Sequence, residues 1–207
     1  MIHWDYAMKR TRASTRIRAL GSASRMSFAV GALYHAYLYI RATPCWAEPH
    51  ALLVPVLDRA FVFVWTNFTS ALPLGESVPG LITELESFSP GEDDAYLAGQ
   101  PDLVDGMLRL LSLRGTEKPG AITDIASFAY QAIIEVALPG LNGGEEDHLR
   151  AERSSEICIR EIEFQEGYLL ALENLRNEDA GWDGVLAQLG SGARNLPRHS
   201  GIKKRKP

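Results

Sequence analysis

Ala121-Ile-Thr-Asp-Ile-Ala-Ser-Phe-Ala-Tyr-Gln-Ala-Ile-Ile-Glu-Val-Ala-Leu138 decides the fold class. Ile125, Phe128, Ala129, Ala132, Ile133 and Val136 recur at steps of three and four, which lines up one face of a helix. Pro139-Gly-Leu-Asn-Gly-Gly144 then stops that helix. Upstream, Pro101–Arg114 repeats the pattern with Leu103, Val104, Met107, Leu108, Leu110 and Leu111 as its core face. Gly115-Thr-Glu-Lys-Pro-Gly120 is the turn between the two.

Working outward, residues 24–41 read as a helix with Ser24 as N-cap and Phe28, Ala32, Leu33, Ala36, Tyr37 and Ile40 on its buried face. Thr43-Pro44 ends it. A short helical turn is expected over 47–53 and a longer helix from Pro55 to Ser70, with Leu57, Phe61, Val64, Trp65 and Phe68 as its stripe. Phe61-Val-Phe-Val-Trp65 is also rich in strand formers, so a buried strand competes there, and Asp58-Arg-Ala60 with the helical spacing favours helix. Short helices follow at 80–88 and 92–98. Glu145–Arg176 is the longest helical candidate, and Ser154-Ser155 is the place where it would break in two. Residues 182–189 add one short helix. No stretch shows a convincing alternating strand pattern. The fold class is therefore all-α: a single-domain multi-helix bundle over 24–190.

The chain has 207 residues and a formal charge of −5, which hides an asymmetry. Residues 1–25 hold six Lys/Arg against Asp5 alone, and residues 194–207 hold six more and no acid. The stretch between them sets nine basic residues against 25 acids, a net of −16. Residues 1–23 are accordingly expected to be a basic, flexible segment, and 191–207 a basic tail. The apolar run Met26–Ile40 after a basic start resembles a signal peptide, but His35 and three tyrosines interrupt it and no small-residue cleavage site follows. Ala51–Phe68 is broken by Pro55, Asp58 and Arg59, so neither run makes a membrane span. A cytoplasmic chain is expected, with Cys45 and Cys158 as reduced, buried thiols.

Several groupings bear on chemistry. Glu145 and His148 have the ExxH spacing of a di-iron bundle, but no second His accompanies the later glutamates. His35, lying among aromatics, reads as a hydrogen-bonded core or groove histidine. Asp102 and Asp105 read as helix-capping and dipole residues. The set Trp46, Phe61, Phe63, Trp65, Phe68 and Phe128 reads as core packing, with a partner groove near Trp46 as the other reading. No phosphate-binding loop, dinucleotide fingerprint or nucleophile elbow occurs, and no cofactor is expected. Lys203-Lys-Arg-Lys206 offers phosphates only a weak, salt-sensitive attraction, and the acidic body repels a duplex.

The order of elements over 24–135 resembles a group of bacterial all-α proteins that includes immunity proteins of polymorphic toxin systems and a related family of unknown function. The residues that carry the resemblance begin with the helix Arg25-Met-Ser-Phe-Ala-Val-Gly-Ala-Leu-Tyr34, followed by Leu57-Asp58 with Trp65. The acidic connection Glu84–Asp94, the helix at Asp102-Leu-Val-Asp105 and the Ser-bearing helix Ser127-Phe-Ala-Tyr130 complete it. The prolines of 44–55 depart from that pattern, and 145–190 lies outside it. The resemblance implies neutralisation of a cognate toxin by tight binding. A −16 body is compatible with that, because a negative field speeds association with a basic, nuclease-like toxin. The exposed acids expected to meet such a partner are Glu84, Glu86, Glu92, Asp93 and Asp94 in one cluster and Glu145, Glu146 and Asp147 in another, with Trp46. The alternatives are a helical-bundle enzyme or metal-binding protein, and a regulatory protein using its basic tails on nucleic acid.

Overall fold

The computed structural model describes residues 3–8, 10–43, 51–68, 79–89, 98–113, 118–140 and 144–174. They form an all-α bundle: among them are nine helices and no strand. The helices are α1 His3–Ala7, α2 Arg10–Ala19, α3 Ser22–Arg41, α4 Leu53–Phe68, α5 Pro79–Glu86, α6 Gln100–Leu111, α7 Pro119–Ala137, α8 Glu145–Ser154 and α9 Glu156–Asn174.

Helices α3 and α7 share the most extensive interface, with α6, α2 and α9 packed on α7. Every position on the expected faces of α3 is buried, as are Leu103, Val104, Met107, Leu110 and Leu111 on α6. On α7, Ile125, Ala129, Ala132 and Ile133 are buried, while Phe128 and Val136 are partly covered at its edge. Gly99 lies against Ala132 and Val136, Gly106 against Phe128, and Arg109 meets Asp124, so α6 and α7 run antiparallel.

Local rules explain where the helices start and stop. Helix α3 begins at Ser22 after Gly21 in extended conformation, so Ser24 is a buried first-turn residue and not the expected N-cap. Pro55 falls within the first turn of α4, where its missing N–H has no intrahelical acceptor to forgo. The helix therefore starts two residues before the expected Pro55 and runs through Phe61–Trp65, which rules out the competing strand. Phe61 is buried against Tyr34 and Tyr37 at ring separations of 5.0 and 5.3 Å. Helices α8 and α9 separate at Ser155, whose extended backbone (ψ 115°) interrupts the spiral. Its hydroxyl accepts from Cys158 N at 3.4 Å, as an N-cap does. The expected elements at 92–97 and 182–189, with 47–50, lie outside the described residues.

The start of the chain corrects the sequence reading. Residues 1–23 were expected to be a flexible basic segment, yet 3–7 and 10–19 are helical. Trp4, Met8, Ala13, Ile17 and Leu20 are buried in the common core. Their spacing of four, five, four and three hides a helical stripe beneath the positive charge. Arg12 and Arg18 of α2 are exposed, and Arg16 makes a forked pair with Glu173 and also meets Glu166 at 2.7 Å. The tail expected at 191–207 lies outside the described residues.

Two close approaches depend on glycine. A Cβ on Gly31 would stand 2.3 Å from Cε1 of Tyr168, a ring fixed by its hydroxyl donating to Ser27 O at 3.2 Å. Gly99 has φ +78°, and a Cβ there would meet Ala132 O at 2.9 Å.

Two predictions follow from this packing. Trp4→Ala removes a side chain with no exposed surface and leaves Gln165 without its donor. Urea denaturation should show a loss of about 3–5 kcal/mol, where a flexible tail would show none. Gly31→Ala should cost about 1–3 kcal/mol through overpacking. Gly167→Ala, on open surface in α9, should gain about 0.5–1 kcal/mol from helix propensity, both read from thermal melts.

Candidate functional site

The interior is polar in one band. Trp4 donates through Nε1 to Gln165 Oε1 at 2.8 Å, and Gln165 Nε2 donates to Ala126 O and to Glu161 Oε1 at 3.1 and 2.8 Å. Glu161, 1% exposed, receives His35 Nδ1 on its other oxygen at 2.6 Å. The His35 ring lies flat on Phe164, centroids 3.7 Å apart. His35 is thus the hydrogen-bonded histidine expected from its aromatic surroundings. Beside this band, Glu152, 2% exposed, accepts from His3 N at 2.7 Å and from Tyr130 Oη at 3.1 Å. Burial pushes the Cys158 thiol above its ordinary value, which keeps it protonated and unreactive at neutral pH. Cys45 lies outside the described residues.

These contacts join α1, α3, α7, α8 and α9, and they use the buried acids as structural acceptors. Among the described residues, no three His, Cys, Asp or Glu side chains gather closely enough to hold a metal ion. Glu145 and His148 share the first turn and a half of α8, and the following acid, Glu152, is turned inward to Tyr130. No helix among the described residues is long and apolar enough to cross a membrane.

Two open depressions on the described surface bear on partner binding. One, of about 560 Å³, lies between α5, α6 and α7. Its floor is Ile82, Leu108 and Phe128, and its rim carries Glu86, Asp105 and Asp124 against Arg109. Arg109 leans toward Asp124 at 3.4 Å. Glu84, on the same helix as Glu86, pairs with Arg59 of α4. The second depression, of about 640 Å³, lies between α1 and α8 and is lined by Glu145 and Glu146 with Tyr6, Leu149, Arg150 and Arg153. Arg153 lies over the Tyr6 ring at 5.6 Å, and Arg150 pairs with Asp147 at 3.3 Å.

Of the acids expected to meet a partner, Glu84, Glu86, Glu145, Glu146 and Asp147 are all exposed. Glu92, Asp93, Asp94 and Trp46 lie outside the described residues. The two depressions differ in charge. The α8 depression is lined by two acids and two arginines, and the α5–α7 groove by three acids and one arginine, Arg109, which meets Asp124. A cation is therefore drawn to the groove. Sequence reasoning missed Asp124 altogether and read Asp105 as a dipole residue. Each is an ordinary exposed-face acid in its own helix, and only the antiparallel pairing of α6 and α7 brings them to one rim.

Asp102 is in the first turn of α6, as its dipole role requires, but the N-cap of that helix, Gly99, makes no side-chain cap bond. Gly99 N donates to Glu135 Oε2 at 2.6 Å. Burial, with Glu135 and Asp105 nearby, pushes the Asp102 carboxyl up to about 7.

No family model matches the chain, and neither a curated protein nor a solved structure is found to be significantly similar to it.

The raised Asp102 value has a definite sign. The unfolded carboxyl titrates near about 3.9, so between that and pH 7 the folded state holds a proton that the unfolded state has lost. Ionised Asp102 then penalises the fold fully above pH 7 and not at all below pH 4. Asp102→Asn should melt with the parent at pH 4 and above it at pH 8, the gap opening between the two. A constant gap would contradict the assignment.

Proposed function

We propose that this chain is a binding protein, an immunity protein that neutralises a cognate bacterial toxin by direct contact between folded surfaces. The observation that carries the reading is the α5–α7 groove, which combines an apolar floor (Ile82, Leu108, Phe128) with the acids Glu86, Asp105 and Asp124. Such a groove suits an apolar anchor flanked by lysine or arginine. Apolar burial at its centre supplies affinity, and the rim charges supply approach rate and register. The inward-turned polar groups support the same reading from the other side. His35, Glu152, Glu161 and Gln165 are each occupied by bonds that hold helices together.

The net −16 of the central stretch adds long-range attraction for a basic partner. Co-expression of the chain with the product of the adjacent gene should protect cells from that product, and the two should copurify. Glu86→Lys combined with Asp105→Lys should slow association by about tenfold or more at low salt. The same changes on Glu145 and Glu146 should have a smaller effect, because Arg150 and Arg153 also line that depression. A neighbouring gene without a toxic product, or equal association rates for both variants, would overturn the reading.

A further inference from the structure

We propose that His35 is a phosphoryl-acceptor site: Nε2 of its ring takes a phosphoryl group from a donor that holds it through a P–N bond, such as a phosphohistidine presented by another protein. The inference goes beyond the binding role and does not depend on it. It rests on how α3 and α9 hold one imidazole. Nδ1 of His35 donates to Glu161 Oε2 at 2.6 Å, and that carboxylate is 1% exposed. The other carboxylate oxygen accepts from Gln165 Nε2 at 2.8 Å, and Gln165 is held in turn by Trp4 and Ala126 O. The ring lies on Phe164 at 3.7 Å, tilted by only 10°. Position and tautomer of the imidazole are thus set by groups that are themselves fixed. Nε2 is left over. Among the described residues it has no partner, yet it is not shut away from water, and the side chain is 25% exposed.

With the Nδ1 proton directed at Glu161, the neutral ring carries its lone pair on Nε2, and the carboxylate makes that pair more basic. This is the pattern of an activated nucleophile, a reacting atom in the open with an orienting group behind it. In the transfer the Nε2 pair attacks phosphorus, and an N–P bond forms while the donor's P–N bond breaks. The leaving nitrogen, protonated beforehand, departs neutral with the bonding pair. The ring keeps its Nδ1 proton and becomes cationic, and that charge develops against the buried Glu161 carboxylate, which is already in place to stabilise it. Other uses of such a histidine need parts not found among the described residues. A metal needs further ligands, and no three His, Cys, Asp or Glu side chains gather there. General-base work on a small substrate needs an enclosing pocket, and His35 lines neither of the two depressions. A phosphoryl group carried on another molecule needs only an open nitrogen on a helix face.

The probe is potassium phosphoramidate, added to the purified full-length chain, with the modified residues mapped by mass spectrometry and the modified nitrogen assigned by ³¹P NMR. His35 should be phosphorylated on Nε2 about tenfold faster than His148. His148 is the internal reference, because it is also partly exposed but has no ion pair among the described residues. The advantage should vanish in urea concentrated enough to unfold the chain, where Glu161 no longer holds the ring. Glu161→Gln should lower the His35 rate about tenfold and leave the His148 rate unchanged, with circular dichroism checking that the variant is helical. Should that variant not fold, the ratio of His35 to His148 rates in the parent, folded against unfolded, decides alone. Equal rates for the two histidines in the folded parent, addition at Nδ1, or a folded Glu161→Gln variant that reacts like the parent overturns the proposal. No toxin enters these measurements, so failure here leaves the toxin-binding reading standing, and failure of that reading leaves this one standing.

Discussion

Two carboxylates, Glu152 and Glu161, are shut inside a helical core, and the rest of the fold is arranged around satisfying them. Burying a carboxylate costs several kcal/mol unless donors replace the lost water. The replacements come from other helices: Tyr130 of α7 and the leading N–H of α1 for Glu152, His35 of α3 and the neighbouring Gln165 for Glu161. Gln165 in turn accepts from Trp4 Nε1 and donates its second proton to Ala126 O. Removing any one donor leaves a buried charge or a buried oxygen short of a partner, so helix positions that apolar packing alone would leave adjustable are fixed. This is why the first five-residue helix, far too short to stand alone, is ordered. Its tryptophan and its first N–H are both consumed by the network.

The same constraint explains how much of the fold was legible in the sequence. Helices α3, α6 and α7 are apolar on one face and punctuated by proline or glycine, and periodicity finds them within a few residues. The Ser154-Ser155 break is legible too, because serine competes for backbone hydrogen bonds at a helix start. What periodicity does not show is a segment whose charge outweighs its stripe. Residues 3–20 carry Trp4, Met8, Ala13, Ile17 and Leu20 for the core, but their arginines dominate any compositional reading, and a tail is the natural inference. The partners that hold this segment, Gln165 and Glu152, lie about 150 residues away and are polar. Polar residues on an otherwise apolar face are usually read as surface, and here they mark the points where distant helices meet.

For the candidate site the division is sharper. Glu84 and Glu86 are visible as an acidic cluster, and their exposure agrees with that. Asp105 and Asp124 belong to other helices, and nothing in their local sequence links them to Glu86. The groove lies where α5 packs on α6 and α6 packs antiparallel on α7, the latter pair brought close at Gly99 and Gly106. A site made by three helices meeting is a tertiary property, so single-helix patterns identify its residues only by chance.

Among the described acids, three groups do different work. Glu152 and Glu161 are internal acceptors, locked by donors and closed to any partner. Glu156, Asp147, Glu166 and Glu173 are surface acids with arginines on or near them, and at physiological salt such pairs cast little field beyond about 8 Å. Glu86, Asp105 and Asp124 remain as a cluster in which acids outnumber cations around apolar floor. Clustering adds to total charge here, because salt screens a diffuse −16 beyond about 8 Å while three acids around one depression act together on a ligand seated there. The apolar floor adds to this by excluding water from the contact and so lowering the local dielectric in which those charges act. Under the basic start of the chain, Arg16 is anchored to a core helix and pairs with Glu166 and Glu173.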